Sequence, residues 1–299
     1  MKPAPFDYFA PTSVPDVLAL LQQYGADARV LAGGQSLVRL MNSRLASPSV
    51  LIDINGVTDL DQITTDGDMV VIRALVKQRT AELSDTVVRR IPVLAEAGGH
   101  VAHVSVRQRG TVVGSIAFAD PSAELPAALL ALNGTVVAEG PAGRRSIAGE
   151  DFFVGPWQNS LTEVELATEI RLPELPVGRT VSAFVETSRR HGELPVCGVA
   201  VVLGLSSDGS IEDARIALCA VDRRPVRARA AEALLQGGAP STDAFEQAAW
   251  EAARNLEPIA NCHGSADFRR HLARVLTGRA LETARSRIPV AAMQRETHA

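Results

Sequence analysis

The sequence predicts an α+β protein of about two domains, with a small parallel α/β unit at the start and an α+β domain at the end. Three observations carry this. Near the N-terminus a strand, a bare glycine turn and a short helix lead into a second apolar strand, the pattern of a small parallel unit. Late in the chain, three strand-like runs are followed by three helical ones. Between these regions lies Pro173-Glu-Leu-Pro-Val-Gly178, the clearest linker in the sequence.

Each element has its own signal. Ser13 caps a predicted helix over Val14–Tyr24, with Pro15 in the first turn and Gly25 as the stop. Val17, Leu18, Leu21 and Tyr24 recur there at helical spacing. The strand Val30–Ala32 runs into Gly33 and Gly34, and Ser36 is placed to cap a short helix through Met41. Pro48 precedes the strand Val50–Ile54. Leu60–Leu75 reads as a hairpin turning at Asp66-Gly67-Asp68. Ala81–Glu96 reads as a helix interrupted by Pro92 and ended by Gly98-Gly99. Val104–Val106 precedes a second loop of small residues, Arg107 to Ser115. Asp120-Pro121 then signals a helix start, with Leu125, Ala128, Leu129 and Leu132 on the apolar face and Asn133-Gly134 as the close. Val136–Ala138, Val164–Leu166 and Ile170–Leu172 read as strands. Past the linker, Val181–Thr187, Val196–Leu205 and Ile211–Ala220 predict three strands. The last two are antiparallel across the turn Ser207–Ser210. Helices follow over Arg227–Leu235, Thr242–Leu256 and Phe268–Ser286, then a loose tail from Pro289.

Composition narrows the function classes. With 30 basic and 34 acidic residues the net charge is -4, and no basic stripe occurs, which argues against nucleic acid and anionic membranes. No apolar run has the length of a membrane span, and Met1 to Tyr8 lacks a signal peptide's apolar core. Cys197, Cys219 and Cys262 are odd in number and far apart, offering neither a disulfide framework nor a metal spacing. A cytoplasmic protein is the simplest reading.

Two stretches can carry chemistry. In the first, Gly33 and Gly34 leave backbone N–H groups open beside a helix start, an arrangement that suits a phosphate or pyrophosphate; taken alone, the two glycines favour a tight turn with no ligand, and the second loop of the same kind changes that. The second, Thr111 to Ser115, follows the basic pair Arg107 and Arg109. Together the two would bind the ends of an extended diphosphate ligand, with hydroxyl hydrogen bonds from Thr111 and Ser115. Asp120 and Glu124 can accept from ligand hydroxyls, or simply offset a helix dipole. His100 and His103 lack further metal ligands nearby. There is no H-E-x-x-H, no Walker A and no G-x-G-x-x-G, and Gly34 to Val38 fails the nucleophile elbow. The cluster Glu186 to Glu193 reads either as a solvated strand end or as the wall of a site between domains.

Motifs in order along nearly the whole chain resemble the FAD-binding medium subunits of the molybdenum hydroxylases, the group of carbon monoxide dehydrogenase, xanthine dehydrogenase and bacterial N-heterocycle dehydrogenases. They are Phe6 to Pro11, Leu31-Ala-Gly-Gly-Gln-Ser-Leu37, Arg44-Leu45, Leu51-Ile-Asp-Ile54, Arg107-Gln-Arg-Gly-Thr111, Gly114-Ser-Ile-Ala117 and Ala119 to Pro126. Ser188-Arg-Arg-His-Gly192, Arg269-Arg-His-Leu272 and Arg279-Ala-Leu281 continue them.

The resemblance implies an FAD-binding domain over 1–175, made of a small parallel α/β subdomain (about 1–56) and a larger mixed α/β subdomain (57–175). A C-terminal α+β domain over 179–288, with a three-stranded antiparallel sheet and helices, covers the flavin, and 289–299 is a tail. By the same resemblance Val30, Leu31, Ala32, Gly33, Gly34, Gln35, Ser36 and Leu37 line the pyrophosphate. Thr111, Val112, Val113, Gly114, Ser115 and Ala117 form the other side, with Asp120 and Glu124 near the ribityl and phosphate region. No catalytic base and no metal ligand is expected in this chain. The partners implied are a large subunit carrying the molybdopterin cofactor and a small subunit carrying two 2Fe–2S clusters, as a dimer of heterotrimers. Electrons pass from the clusters to FAD and on to a terminal acceptor.

The chain departs from the family pattern at Val113, where a second glycine is usual, at Phe118, which is placed to pack on the flavin, and at Glu193, where Asp is usual. Two other readings stand beside this one. One is a free-standing flavin oxidase using Glu193 and His191 as acid–base groups, and the other is a non-catalytic nucleotide-binding module.

Overall fold

The computed structural model describes residues 1–289; the expected tail from Val290 onward lies outside the described residues. The first unit comprises β1 (Asp7–Phe9), α1 (Val14–Tyr24), β2 (Ala28–Leu31), α2 (Leu37–Asn42) and β3 (Val50–Asp53). Its three strands are parallel in the order β1-β3-β2. Helix α1 starts and stops where the sequence indicates, with the Ser13 hydroxyl accepting from Asp16 N and Gly25 turning out at φ 49°. The extra strand β1 is three residues long and half exposed, too short for any periodicity to show.

The second unit contains β4 (Ile63–Asp66), β5 (Met69–Arg73), α3 (Gln78–Leu83), α4 (Asp85–Arg90), α5 (Pro92–His100), α6 (Val104–Arg107), α7 (Val112–Phe118) and α8 (Glu124–Ala131). It continues with β6 (Thr135–Gly140), β7 (Gly143–Ala148), α9 (Gly149–Phe152), β8 (Phe153–Gly155), β9 (Gln158–Asn159) and β10 (Leu166–Pro173). A five-stranded antiparallel sheet runs β4-β5-β10-β6-β7, and β8 and β9 pair apart from it.

Several expectations are corrected here. The helix anticipated over Ala81–Glu96 is three helices, broken at Ser84 and Ile91. Pro92 opens the third, since it lacks an N–H to continue the second. Gly98 and Gly99 lie inside α5, because packing against α3 and α8 overrides their low helix propensity. Val164–Leu166 and Ile170–Leu172 are not two strands: Val164 is in a turn, and the single strand β10 starts at Leu166 and continues through Ile170–Leu172, with a bulge between Ala167 and Glu169. Strand β7 carries no strand signal in the sequence, because its edge position leaves it exposed and arginine-rich, without apolar alternation.

The last unit holds β11 (Thr180–Thr187), β12 (Cys197–Leu205), β13 (Ile211–Cys219), β14 (Val226–Arg227), α10 (Arg229–Leu235), α11 (Thr242–Arg254) and α12 (Ala266–Arg285). The sheet is antiparallel in sequence order and has a fourth strand, β14, of two residues, which the three-strand expectation lacked. Strand β12 is buried along both faces. Val199, Val201 and Leu203 face α10–α12, while Ala200 and Val202 join the core shared with α5 and α8. The two halves are therefore bolted together through a common core. Polar ties reinforce it: Glu96 accepts from Phe184 N at 3.0 Å, and Arg227 donates to Leu130 O at 2.9 Å.

Candidate functional site

The first cradle sits where β2 ends, at the carboxyl edge of the parallel sheet, the usual ligand side of such sheets. The chain turns through Ala32, Gly33 and Gly34, the last at φ +71°. The turn is held from outside: Asn55 Nδ2 donates to Ala32 O at 2.8 Å, and Gln35 Nε2 donates to Gly33 O at 3.1 Å. Among the described residues, nothing accepts from the backbone N–H groups of Gly34, Gln35 or Ser36. Ser36 does not cap α2 as expected. Its backbone is already helical (φ -98°, ψ -54°), so its hydroxyl cannot reach back to the first-turn N–H groups.

The second cradle is not the loop that the sequence indicates. Arg107 closes α6, and Thr111 is the N-cap of α7. Its hydroxyl accepts from Gly114 N at 3.1 Å, so capping already uses the oxygen expected to face a ligand. Val113 lies in the first turn of α7, with no positive φ, so the missing second glycine distorts nothing. The segment is locked to its surroundings by Gln78 N donating to Gly110 O at 2.8 Å and Val112 N to Val76 O at 3.0 Å.

The two cradles touch. A Cβ on Gly33 would lie 2.4 Å from Arg109 O and 2.7 Å from Gly110 Cα. Together they border a cleft of about 450 Å³. All eight residues from Val30 to Leu37 line it, as do Thr111, Val113, Gly114, Ser115 and Ala117; Phe118 lines it too. Val112 does not, because its side chain turns into the core. Residues that the sequence did not single out complete the walls. Gln78 comes from α3, and Trp157, Asn159 and Leu161 come from the β8–β9 hairpin and the chain after it. Asn159 Nδ2 donates to Ala117 O at 2.6 Å, fixing that hairpin to the end of α7. No local pattern marks these positions, since only long-range pairing brings them to the cleft.

Asp120 and Glu124 do not line the cleft. Asp120 caps no helix. Ala119 turns left-handed at φ 53° to end α7, Asp120 Oδ1 then accepts from Ser122 N at 2.9 Å, and α8 begins only at Glu124. Burial raises the Asp120 carboxyl above its ordinary value, against the N–H of Ser122 and the Trp157 indole. Glu124 is 2% exposed and is pushed up to about 8, first by burial and then by the nearby Glu186 and Asp120 carboxyls. Glu186 reaches over from β11, with Oε1 3.4 Å from His100 Nδ1 and a buried Oε2 that has no partner among the described residues. That contact raises His100. His103 packs edge-on to His191 at 6.0 Å between ring centres. Neither His191 nor Glu193 lines the cleft, so the acid–base pair required by a free-standing oxidase is not beside it.

Residues 4–175 match the model of the FAD binding domain in molybdopterin dehydrogenase, and residues 182–284 match that of the CO dehydrogenase flavoprotein C-terminal domain. The chain is 38% identical to the 6-hydroxypseudooxynicotine dehydrogenase complex subunit alpha of Paenarthrobacter nicotinovorans, over 95% of this chain and 96% of that one. It is 37% identical to caffeine dehydrogenase subunit beta of Pseudomonas sp. (strain CBB1), over 96% and 97%. Among solved structures it superposes on carbon monoxide dehydrogenase from Hydrogenophaga pseudoflava, in a form lacking the Mo-pyranopterin moiety of the molybdenum cofactor. The TM-score is 0.93 at 40% identity, covering 96% of this chain and 99% of that chain. With both family models matched in order and full-length relatives well above 30% identity, the chain belongs to the FAD-binding flavoprotein subunits of the molybdenum hydroxylases.

Proposed function

We propose that this chain holds FAD as the electron-transfer subunit of a molybdenum-containing dehydrogenase, taking electrons from 2Fe–2S clusters of a partner and passing them to a terminal acceptor. The observation that carries this is the contact of the two cradles around one cleft, with the N–H groups of Gly34, Gln35 and Ser36 free of protein acceptors. These residues fit a flavin dinucleotide. Three successive open donors suit a diphosphate, and Gln78, 6% exposed on the same cleft, has an Oε1 that no donor among the described residues satisfies, as a ligand hydroxyl or amine would.

Bound there, FAD supplies a ring system able to accept electrons from one carrier and release them to another. The protein's part is binding and orientation. Val30 to Leu37 would line the diphosphate, with the open N–H groups of Gly34, Gln35 and Ser36 as its donors, while Thr111, Val113, Gly114, Ser115 and Ala117 would close the opposite wall. No residue of this chain needs to move a proton for the relay, and none is assigned as a base. We take 1–175 as the FAD-binding domain and 179–288 as its C-terminal partner domain.

The assembly proposed is a heterotrimer with a molybdopterin-binding large subunit and an iron–sulfur small subunit, present twice. A cytoplasmic location is supported by its three free cysteines. Among the described residues, no helix is long and apolar enough to cross a membrane.

The test is purification of the full chain expressed with its partners. A flavin absorption band and two co-purifying subunits are expected. A folded, colourless chain that rejects added FAD overturns the proposal.

A further inference from the structure

One residue on the cleft keeps a costly backbone angle without burying its side chain. Trp157 sits at the tip between β8 and β9 with φ +55°, a conformation costly for a bulky side chain. Its backbone is pinned there, with N donating to Ala119 O at 2.9 Å, and Ala119 is itself left-handed at φ 53°. The hairpin is tied on its other side by Asn159 Nδ2 to Ala117 O and by Ser160 N to Phe152 O at 2.9 Å. Despite this, the Trp157 side chain is 61% exposed and contributes to neither hydrophobic core. Glycine would take the same backbone without strain. Strain of this kind persists where the surroundings over-determine it, and it concentrates at ligand sites.

We propose that Trp157 is the stacking wall of the cleft, its indole face laid against a planar heteroaromatic ring of the bound flavin dinucleotide. This rests on the proposed FAD function and adds a residue that nothing in the family motifs marks. Trp157 borders the same cavity as Phe118 and Ala117, so a ring system entering it lies between Trp157 and the end of α7. Tryptophan suits this role because it offers a large rigid face at small entropic cost. Fixing that face through two left-handed residues and the Trp157 N–Ala119 O bond organises it before the ligand arrives.

The experiment uses the full chain stripped of flavin and titrated separately with FAD, FMN and ADP, with wild type and three variants. Trp157→Ala is expected to bind FAD about ten-fold more weakly, and Trp157→Phe to stay within about three-fold of wild type. Trp157→Gly is expected to lose affinity like alanine while its flavin-free melting temperature stays at or above that of wild type, an outcome that a packing role does not give. Emission of bound flavin is expected to rise in Trp157→Ala if the isoalloxazine is the stacked ring. Lost FMN affinity with ADP unchanged assigns the contact to the isoalloxazine, and the reverse assigns it to adenine; both support the proposal. If Trp157→Ala binds FAD, FMN and ADP all within two-fold of wild type, the proposal is overturned, and the exposed ring is then a surface for a protein partner. If the folded wild-type chain binds none of the three, the FAD function itself fails instead.

Discussion

The two cradles look alike in sequence, each a few small residues around glycine, yet their glycines answer to different forces. Gly34 is needed for its backbone angle, at φ +71°. Gly33 is needed because the other cradle's backbone occupies the space of its Cβ, with Arg109 O only 2.4 Å away. Gly114 serves a third purpose. A Cβ there would lie 2.4 Å from Thr111 Oγ1, so glycine makes room for the cap that starts α7. The first cradle is an open turn with donors to spare, while the second is a capped helix start with its hydroxyl engaged. The difference teaches that a glycine-rich motif can be demanded by the protein's own packing before any ligand is considered.

The largest test of this contrast is Gly33→Val. The side chain must push the cradles apart, at a cost of about 3 kcal/mol in stability, the upper part of the usual overpacking range. Flavin content and the denaturant midpoint are expected to fall together. A variant of wild-type stability that only loses flavin would show that Gly33 serves the ligand alone.

Next comes the acid behind the second cradle. Glu124 holds its proton in the fold up to about pH 8, whereas its ordinary value is 4.5. Between those limits the folded state carries the extra proton, so the contribution is whole below pH 4.5 and is lost as pH rises through 8. The slope is at most about 1.4 kcal/mol per pH unit for one group. Glu124→Gln is expected to flatten the fall in urea midpoint between pH 5 and 8. If it leaves that slope intact and lowers FAD affinity ten-fold, Glu124 belongs to the ligand and not to the core.

The smallest effects compare the two hydroxyls. Thr111→Val removes a helix cap and is expected to cost about 1 kcal/mol, with Thr111→Ser restoring most of it. Ser36→Ala removes no cap and is expected to stay within about 0.5 kcal/mol in the flavin-free chain. Thermal melts of both would break the contrast if Ser36→Ala proved the more costly.

Much of this was legible because it is local. Ser13, Pro15 and Gly25 set the ends of α1 by capping chemistry that acts within a few residues. The apolar runs of β11–β13 announced strands, and the short turn between the last two announced their antiparallel pairing. The departures arise where a local signal meets a distant neighbour. Asp120-Pro121 carries a good helix-start signal, but the left-handed Ala119 and the Asx turn to Ser122 defer the helix to Glu124. Gly98-Gly99 should end a helix, but tertiary packing carries α5 through them.

The site divides in the same way. The stretch Val30 to Leu37 was readable because strand, glycine turn and helix start are consecutive. Gln78, Trp157 and Asn159 were not, because each reaches the cleft from another element.

By itself the sequence determined the order of the longer elements, the two glycine-bearing segments and, through the ordered motifs along the chain, the family. Those are properties of neighbours within a few bonds, or of inherited patterns that survive in the linear text. Only the tertiary structure decided that Gly33 rests on Arg109, that Glu124 is sealed beside Glu186, and that Trp157 stands strained over the cleft. Such facts depend on which atoms exclude one another and which charges lose water. Both are settled only when residues far apart in the chain are packed side by side.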